Sequence, residues 1–128
     1  MAYDEKLAGR VRAMLKGKRG VREIRMFGGL CFMVNDQMCC GVARRDLMVR
    51  VLPERYEALL EKPHARVMDF TGRPLSGFLF VGPKGSRSEA GLKFWVEEAL
   101  TRSSVAARSR ALATPRFLFL GLRELALL

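Results

Sequence analysis

The segment that most constrains the fold is residues 26–43, in which two short apolar runs flank Asn35 and Asp36. Asparagine and aspartate tolerate the positive φ angles that a tight hairpin turn requires. The pattern therefore predicts a β-hairpin with these two residues at the turn. With that turn, we expect three cross-strand pairs: Val34 with Gln37, Phe32 with Cys39, and Cys31 with Cys40.

The alternation of side chains along the two strands makes both faces of the hairpin apolar. One predicted face carries Cys31, Met33, Met38 and Cys40, and the other carries Leu30, Phe32, Val34 and Cys39. A sheet with two apolar faces must be covered on both sides. We expect the cover to come from helices of this chain or from a second copy, so the hairpin is a core element and not a catalytic one.

The rest of the chain alternates between helical and strand patterns. Residues 4–16 have the apolar spacing of an amphipathic helix, residues 21–26 and 46–52 alternate as strands, and a helix runs from Pro53 to Pro63. Strands at 67–70 and 77–81 flank a turn at 71–74, and Ser86 with Glu89 has the capping-box spacing that begins a third helix. The sequence predicts an α+β fold, a mainly antiparallel sheet with flanking helices, in the order helix, three or four strands, helix, two strands, helix.

Length and charge narrow the class of protein. A chain of 128 residues is one domain by size. The net charge of +10 favours a polyanionic partner, such as nucleic acid, an acidic protein or an anionic membrane surface, although it could serve only to keep the protein soluble. There is no secretory signal pattern, no apolar run of membrane-spanning length and an odd number of cysteines, so we expect free thiols and a cytoplasmic location.

No arrangement of residues predicts catalysis. Cys39 and Cys40 are adjacent and lack the CxxC spacing of redox and zinc sites. Cys31 opposite Cys40 could hold a soft metal ion or oxidise, but the pattern favours small buried apolar side chains. His64 is interpreted as a solvated loop residue and Asp69 as a turn-capping residue. We therefore assign no catalytic residue, cofactor or metal site.

The paired glycines Gly28 and Gly29 interrupt the pattern at the entrance to a strand. Such pairs usually mark a bulge or a close backbone approach. A phosphate-binding loop is the alternative, but the GxxxxGK[ST] pattern is missing and no helix follows.

Four stretches together resemble the TfoX N-terminal domain family: MAYDEKLAGRVRAML, RMFGGLCFMVNDQMCCGV, DLMVRV and MDFTGRPLSGFLFV. The resemblance spans about residues 1–102 and implies a fold shared with secretion-chaperone-like domains and a link to regulators of natural competence. The residues that carry this family signature, with an expected structural role, are Met26, Phe27, Gly28, Gly29, Asp69, Phe70, Gly72, Pro74 and Gly77.

The predicted domain of residues 1–102 is followed by a tail that departs from the family pattern. Residues 103–116 are small and basic and suggest a linker or a frayed helical continuation. Residues 117–128 are strongly apolar, and we expect them to pack on the domain or on a second subunit.

Two classes of function remain. The first is a non-enzymatic regulatory or protein-interaction module, expected to be a homodimer and linked to transcriptional or competence regulation. The second is a nucleic-acid-binding domain that contacts phosphates through distributed arginines without reading sequence. The candidate contacts with a polyanion or partner are Arg25, Arg44, Arg45, Arg50 and Arg73.

Overall fold

The computed structural model describes residues 3–26, 28–69 and 74–113, and it has the predicted α+β architecture. The helices in these ranges are α1 (Glu5–Leu15), α2 (Pro53–Leu60), α3 (Pro83–Ser86) and α4 (Glu89–Ala113). The strands are β1 (Val21–Met26), β2 (Gly29–Val34), β3 (Gln37–Ala43), β4 (Asp46–Arg50), β5 (Ala65–Asp69) and β6 (Pro74–Val81). The short α3 is one helix more than the sequence predicted.

The six strands form one antiparallel sheet in the order β1-β2-β3-β4-β6-β5. The first four strands follow one another as a meander. β6 then lies between β4 and β5, so α2 connects two strands that are not neighbours. This strand order could not be read from hairpin spacing alone.

The central hairpin has the predicted turn. Asn35 and Asp36 have φ angles of 54° and 66°, and Val34 pairs with Gln37. Both residues occupy the left-handed region that the turn requires.

The predicted register beyond the turn is wrong, because the pairing of β2 with β3 shifts between Phe32 and Met33. Phe32 pairs with Cys40 and not with Cys39, and Cys31 pairs with Gly41 and not with Cys40. One extra residue on β3 forms a β-bulge, which the strict alternation assumed from the sequence could not include. Cys40 therefore lies on the same side of the sheet as Cys39, and its predicted placement with Cys31 is wrong.

All of the buried helical side chains of the core pack on one face of the sheet. This main cluster combines strand residues such as Phe32, Val42 and Leu47 with the apolar sides of α1, α2 and α4. Trp95 is 3% exposed and is a core residue, as predicted. The buried helical members are Leu7, Ala8, Val11, Leu15, Leu59, Leu92, Trp95, Val96 and Ala99.

The helix ends follow local capping chemistry. The Asp4 carboxylate accepts hydrogen bonds from the backbone N–H groups of Lys6 and Leu7, at 3.0 and 3.1 Å, and so begins α1. The predicted cap at Ser86 is wrong: Ser88 Oγ accepts from Gly91 N at 2.9 Å and caps α4. Ser86 instead ends the short α3 and is buried.

The long α4 crosses the boundary predicted at residue 102. Residues 103–113 continue the helix, which is the second of the two alternatives that the sequence left open. The apolar segment 117–128, its predicted packing and most of the predicted turn at 71–74 lie outside the described residues.

Candidate functional site

The face of the sheet opposite the helices carries a second apolar cluster, which we call the outer cluster. Its buried members are Cys31, Ala43, Met48, Met68 and Phe80, and its half-buried members are Met26, Met38, Leu75 and Phe78. Every member belongs to a strand, and no helical side chain of the described ranges contributes to it. The four half-buried side chains therefore leave apolar surface that the described helices do not cover.

Two arginines border the outer cluster and stack on its aromatic rings. The guanidinium carbon of Arg50 lies 5.1 Å from the centroid of the Phe78 ring, and that of Arg66 lies 4.9 Å from the Phe80 centroid. Arg66 also forms an ion pair with Asp46. Partial burial lowers the pKa of Arg50 from its ordinary value, but a guanidinium remains charged in proteins. The surface is thus apolar at its centre and cationic at its border, which is a common plan for a protein interface.

The sequence did not predict a role for Arg66. Arg66 and Met68 are two residues apart in β5, so they lie on the same face of the sheet. This could be inferred from the sequence only if the strand were known to begin at Ala65.

Four of the five predicted polyanion contacts lie in the described part of the chain, and these four do not form one patch. Arg25 lies on the edge strand β1 and pairs with Leu30, which faces the helices. Arg44 and Arg45 form the β3–β4 turn, and Arg50 ends β4 at the opposite end of that strand, about 14 Å away at the usual rise of a strand. β1 and β4 are three strand spacings apart, also about 14 Å. Arg73 lies outside the described residues.

The signature glycines have backbone roles that differ from one another. Gly28 has a φ of +71° with open space around it, whereas a Cβ on Gly29 would lie 2.2 Å from the carbonyl oxygen of Val42. Gly77 has a φ of +83°. A phosphate-binding glycine loop leads into the N-terminus of a helix. Here the glycines lead into a strand, because β2 begins at Gly29.

The other signature residues lie in the sheet or outside the described ranges. Met26 ends β1 in the outer cluster, and Asp69 pairs with Pro74 where β5 meets β6. Phe27, Phe70 and Gly72 lie outside the described residues. Among the signature residues that the structure describes, no contact assigns a binding role, so the expected structural role of the signature stays a prediction.

The three cysteines are buried free thiols on two faces of the sheet. Cys31 belongs to the outer cluster, and burial raises the pKa of its thiol to about 11. Cys39 and Cys40 belong to the main cluster. A hydrogen bond from Cys40 lowers the pKa of the Cys39 thiol, with smaller contributions from Ser103 and the positive charge of Arg102, and the same hydrogen bond raises the pKa of Cys40.

The described part of the chain shows no metal-binding cluster and no membrane-spanning helix. There, no three His, Cys, Asp or Glu side chains gather in a way that could hold a metal ion. His64 is exposed between α2 and β5, and its backbone carbonyl accepts a hydrogen bond from Gly82 N at 2.8 Å. None of the helices within the described ranges has the length and apolarity needed to cross a membrane.

Comparison with protein families gives a match over most of the chain. The family model described as the TfoX N-terminal domain matches residues 13–103, which includes the hairpin, the whole sheet and the first half of α4. The match begins in the last turn of α1, later than the resemblance suggested. No curated protein and no solved structure matches the chain.

Proposed function

Because the chain belongs to the TfoX N-terminal domain family, we propose that it is a non-enzymatic interaction module that takes part in competence or transcription regulation in the cytoplasm. The observation that carries the proposal is the outer cluster, whose described members all belong to strands and lie on the face opposite the helices. The family supplies the regulatory context. The sheet face supplies the surface through which such a module would act.

We propose that a second copy of the chain covers the outer cluster and makes a homodimer. Two sheets pack face to face when both present apolar side chains, and methionines adapt their shape to an opposing surface. Three of the four half-buried positions are Met26, Met38 and Phe78, which suit such packing. The Arg66 charge is already paired with Asp46 within the chain, so an approaching copy would meet a partly neutralised border.

Measurement of the mass in solution tests this proposal. Sedimentation or light scattering should give a dimer, and Leu75→Glu should give a monomer because it places a charge at the half-buried border of the outer cluster. Met14→Glu is the matched control: Met14 is also half-buried, but it packs on the helix side, so this variant should remain a dimer. A monomeric wild-type chain would contradict the homodimer.

Salt dependence separates a homodimer from an acidic partner. Two copies that each carry +10 repel one another, so the homodimer should weaken at low salt. Binding to an acidic partner would strengthen at low salt. An interaction with the second behaviour would indicate that the outer cluster binds a different protein.

Nucleic-acid binding is the alternative function, and the net charge of +10 is the observation that favours it. The separation of the predicted arginines argues for weak phosphate contacts without sequence reading. Fluorescence anisotropy with labelled mixed-sequence DNA and RNA at several salt concentrations tests it. Micromolar binding near physiological salt with a steep salt slope would support this function, and absence of binding would remove it.

A further inference from the structure

The bulge in β3 produces a pair of adjacent thiols on one side of the sheet. In a regular strand, consecutive side chains point to opposite faces, so neighbouring cysteines keep their sulfur atoms apart. Here the register shift places both Cys39 and Cys40 in the main cluster, with 0% and 1% exposure. The two thiols are near enough for Cys40 to lower the pKa of the Cys39 thiol by hydrogen bonding.

The surroundings of the pair add a second observation. Ser103, on α4, is 4% exposed, and its Oγ has no hydrogen-bond partner; its hydroxyl is near enough to Cys39 to lower the pKa of that thiol. A buried hydroxyl without a full partner is uncommon and calls for an explanation. Arg102 places a positive charge near the same sulfur and is fixed by its Nη1 donating to Gln37 Oε1 at 2.8 Å.

We propose that Cys39 and Cys40 form a bidentate site for a thiophilic metalloid of the trivalent arsenic class, with the Ser103 hydroxyl as the neighbouring polar group. With an aryl arsenic(III) oxide, two arsenic–sulfur bonds form and the arsenic–oxygen bonds break. The two thiol protons leave with that oxygen as one water molecule. Arsenic remains trivalent, so no oxidant or reductant is needed.

Geometry favours this ligand over a disulfide between the same residues. Consecutive Cα atoms lie about 3.8 Å apart across a trans peptide, whereas disulfides usually need a separation of at least about 4.4 Å. A bridging metalloid keeps the two sulfur atoms farther apart than a sulfur–sulfur bond does. The bulge therefore provides a dithiol that can chelate more readily than it can oxidise.

Cys31 is the internal control for this site. It is 0% exposed, as Cys39 is, but it lies on the opposite face of the sheet in the outer cluster. A reagent that only needed a buried thiol would not distinguish Cys31 from the pair. The proposed site requires two thiols on one face.

The experiment treats the native full-length chain with phenylarsine oxide and measures intact mass. We expect one adduct per chain that survives an excess of a monothiol and is removed by a dithiol. Cys39→Ala and Cys40→Ala should each lose this adduct, whereas Cys31→Ala should keep it. No adduct on the wild-type chain, retention in Cys40→Ala or loss in a folded Cys31→Ala would overturn the proposal.

A measurement on the wild-type chain keeps the test valid if a core variant fails to fold. After arsenical treatment, the protein is unfolded and its remaining thiols are alkylated and mapped by mass spectrometry. Alkylation at Cys31 alone is expected, and alkylation at Cys39 or Cys40 would overturn the site. The proposed interaction through the outer cluster does not enter this test, so the two proposals can fail separately.

Discussion

Alanine substitutions at the adjacent glycines of the family signature should have different costs, because each glycine is needed for a different reason. Gly28 has a left-handed φ of +71° and nothing within 4 Å of an added Cβ. At Gly29, an added Cβ would lie 2.2 Å from the Val42 carbonyl oxygen and 3.1 Å from the Ala43 Cα. The first position restricts backbone conformation, and the second restricts space.

The structure gives the expected magnitudes. Gly28→Ala holds an L-residue in the left-handed region, which costs about 1–2 kcal/mol. In Gly29→Ala, the obstacle is the backbone of β3 and not a flexible side chain, so the paired strands must separate by 0.8 Å to reach even the 3.0 Å limit of real Cβ contacts. Overpacking of this kind costs about 3 kcal/mol or more. That is a large share of the about 5–15 kcal/mol by which a domain is stable.

Urea unfolding followed by circular dichroism measures the difference. With a slope of about 1.5 kcal/mol per molar urea, the midpoint should fall by about 1 M for Gly28→Ala and by about 2 M or more for Gly29→Ala. Gly9→Ala is the matched control, because Gly9 lies inside α1 with open space around it. Alanine there should stabilise the protein by about 0.5–1 kcal/mol.

The comparison of the two variants decides whether this reasoning holds. A Gly28→Ala variant as unstable as Gly29→Ala, at an unchanged slope, would show that the close approach to β3 is not what requires glycine. Destabilisation by Gly9→Ala would show that the alanine effect is not specific to the hairpin.

Three further predictions concern α1 and the core. Leu47→Ala should cost about 2–5 kcal/mol in urea unfolding, since Leu47 is 0% exposed in the main cluster, and a cost below about 1 kcal/mol would contradict that packing. Asp4→Ala should cost about 1 kcal/mol through loss of the α1 cap, whereas Asp4→Asn should retain most of it; equal losses would argue against capping. Arg12 donates two hydrogen bonds to Glu23 and thereby lowers the pKa of that carboxyl below 4.5. The ion pair therefore stabilises the fold above about pH 4.5, and this stabilisation is lost as the pH falls through the lowered pKa of Glu23. Glu23→Gln should cost about 0.2–1 kcal/mol of unfolding free energy at pH 7 and nothing near pH 2. A cost that does not change with pH would show that the ion pair is not its cause.

Local chemistry explains why so much of the element order could be predicted. The left-handed turn at Asn35 and Asp36, the N-terminal cap at Asp4 and the proline that begins α2 depend on residues within a few positions of one another. The capping box is the exception. Ser86 has the capping-box spacing to Glu89, but it is the buried last residue of α3. Ser88 caps α4 instead.

The candidate surface was only partly predictable. The sequence predicts that the two apolar hairpin faces need a cover. Only the strand order shows that the buried helical residues of the described ranges lie on one side of the sheet and that Met48, Met68 and Phe80 join Cys31 on the other. The candidate arginines lie near the signature motifs in the sequence. Residues that are close in sequence can be far apart in a sheet. Arg44 lies just before one end of β4, and Arg50 lies at the other end.

The sequence by itself determined the α+β class, the position of the hairpin turn and the family, because these depend on period, turn chemistry and short motifs. Only the tertiary structure decided which face each cysteine occupies. A single bulge residue reverses the side-chain alternation for the rest of a strand, and here it separates Cys40 from Cys31 and joins it to Cys39. The pairing across β2 and β3 sets that bulge, and alternation along one strand does not encode it.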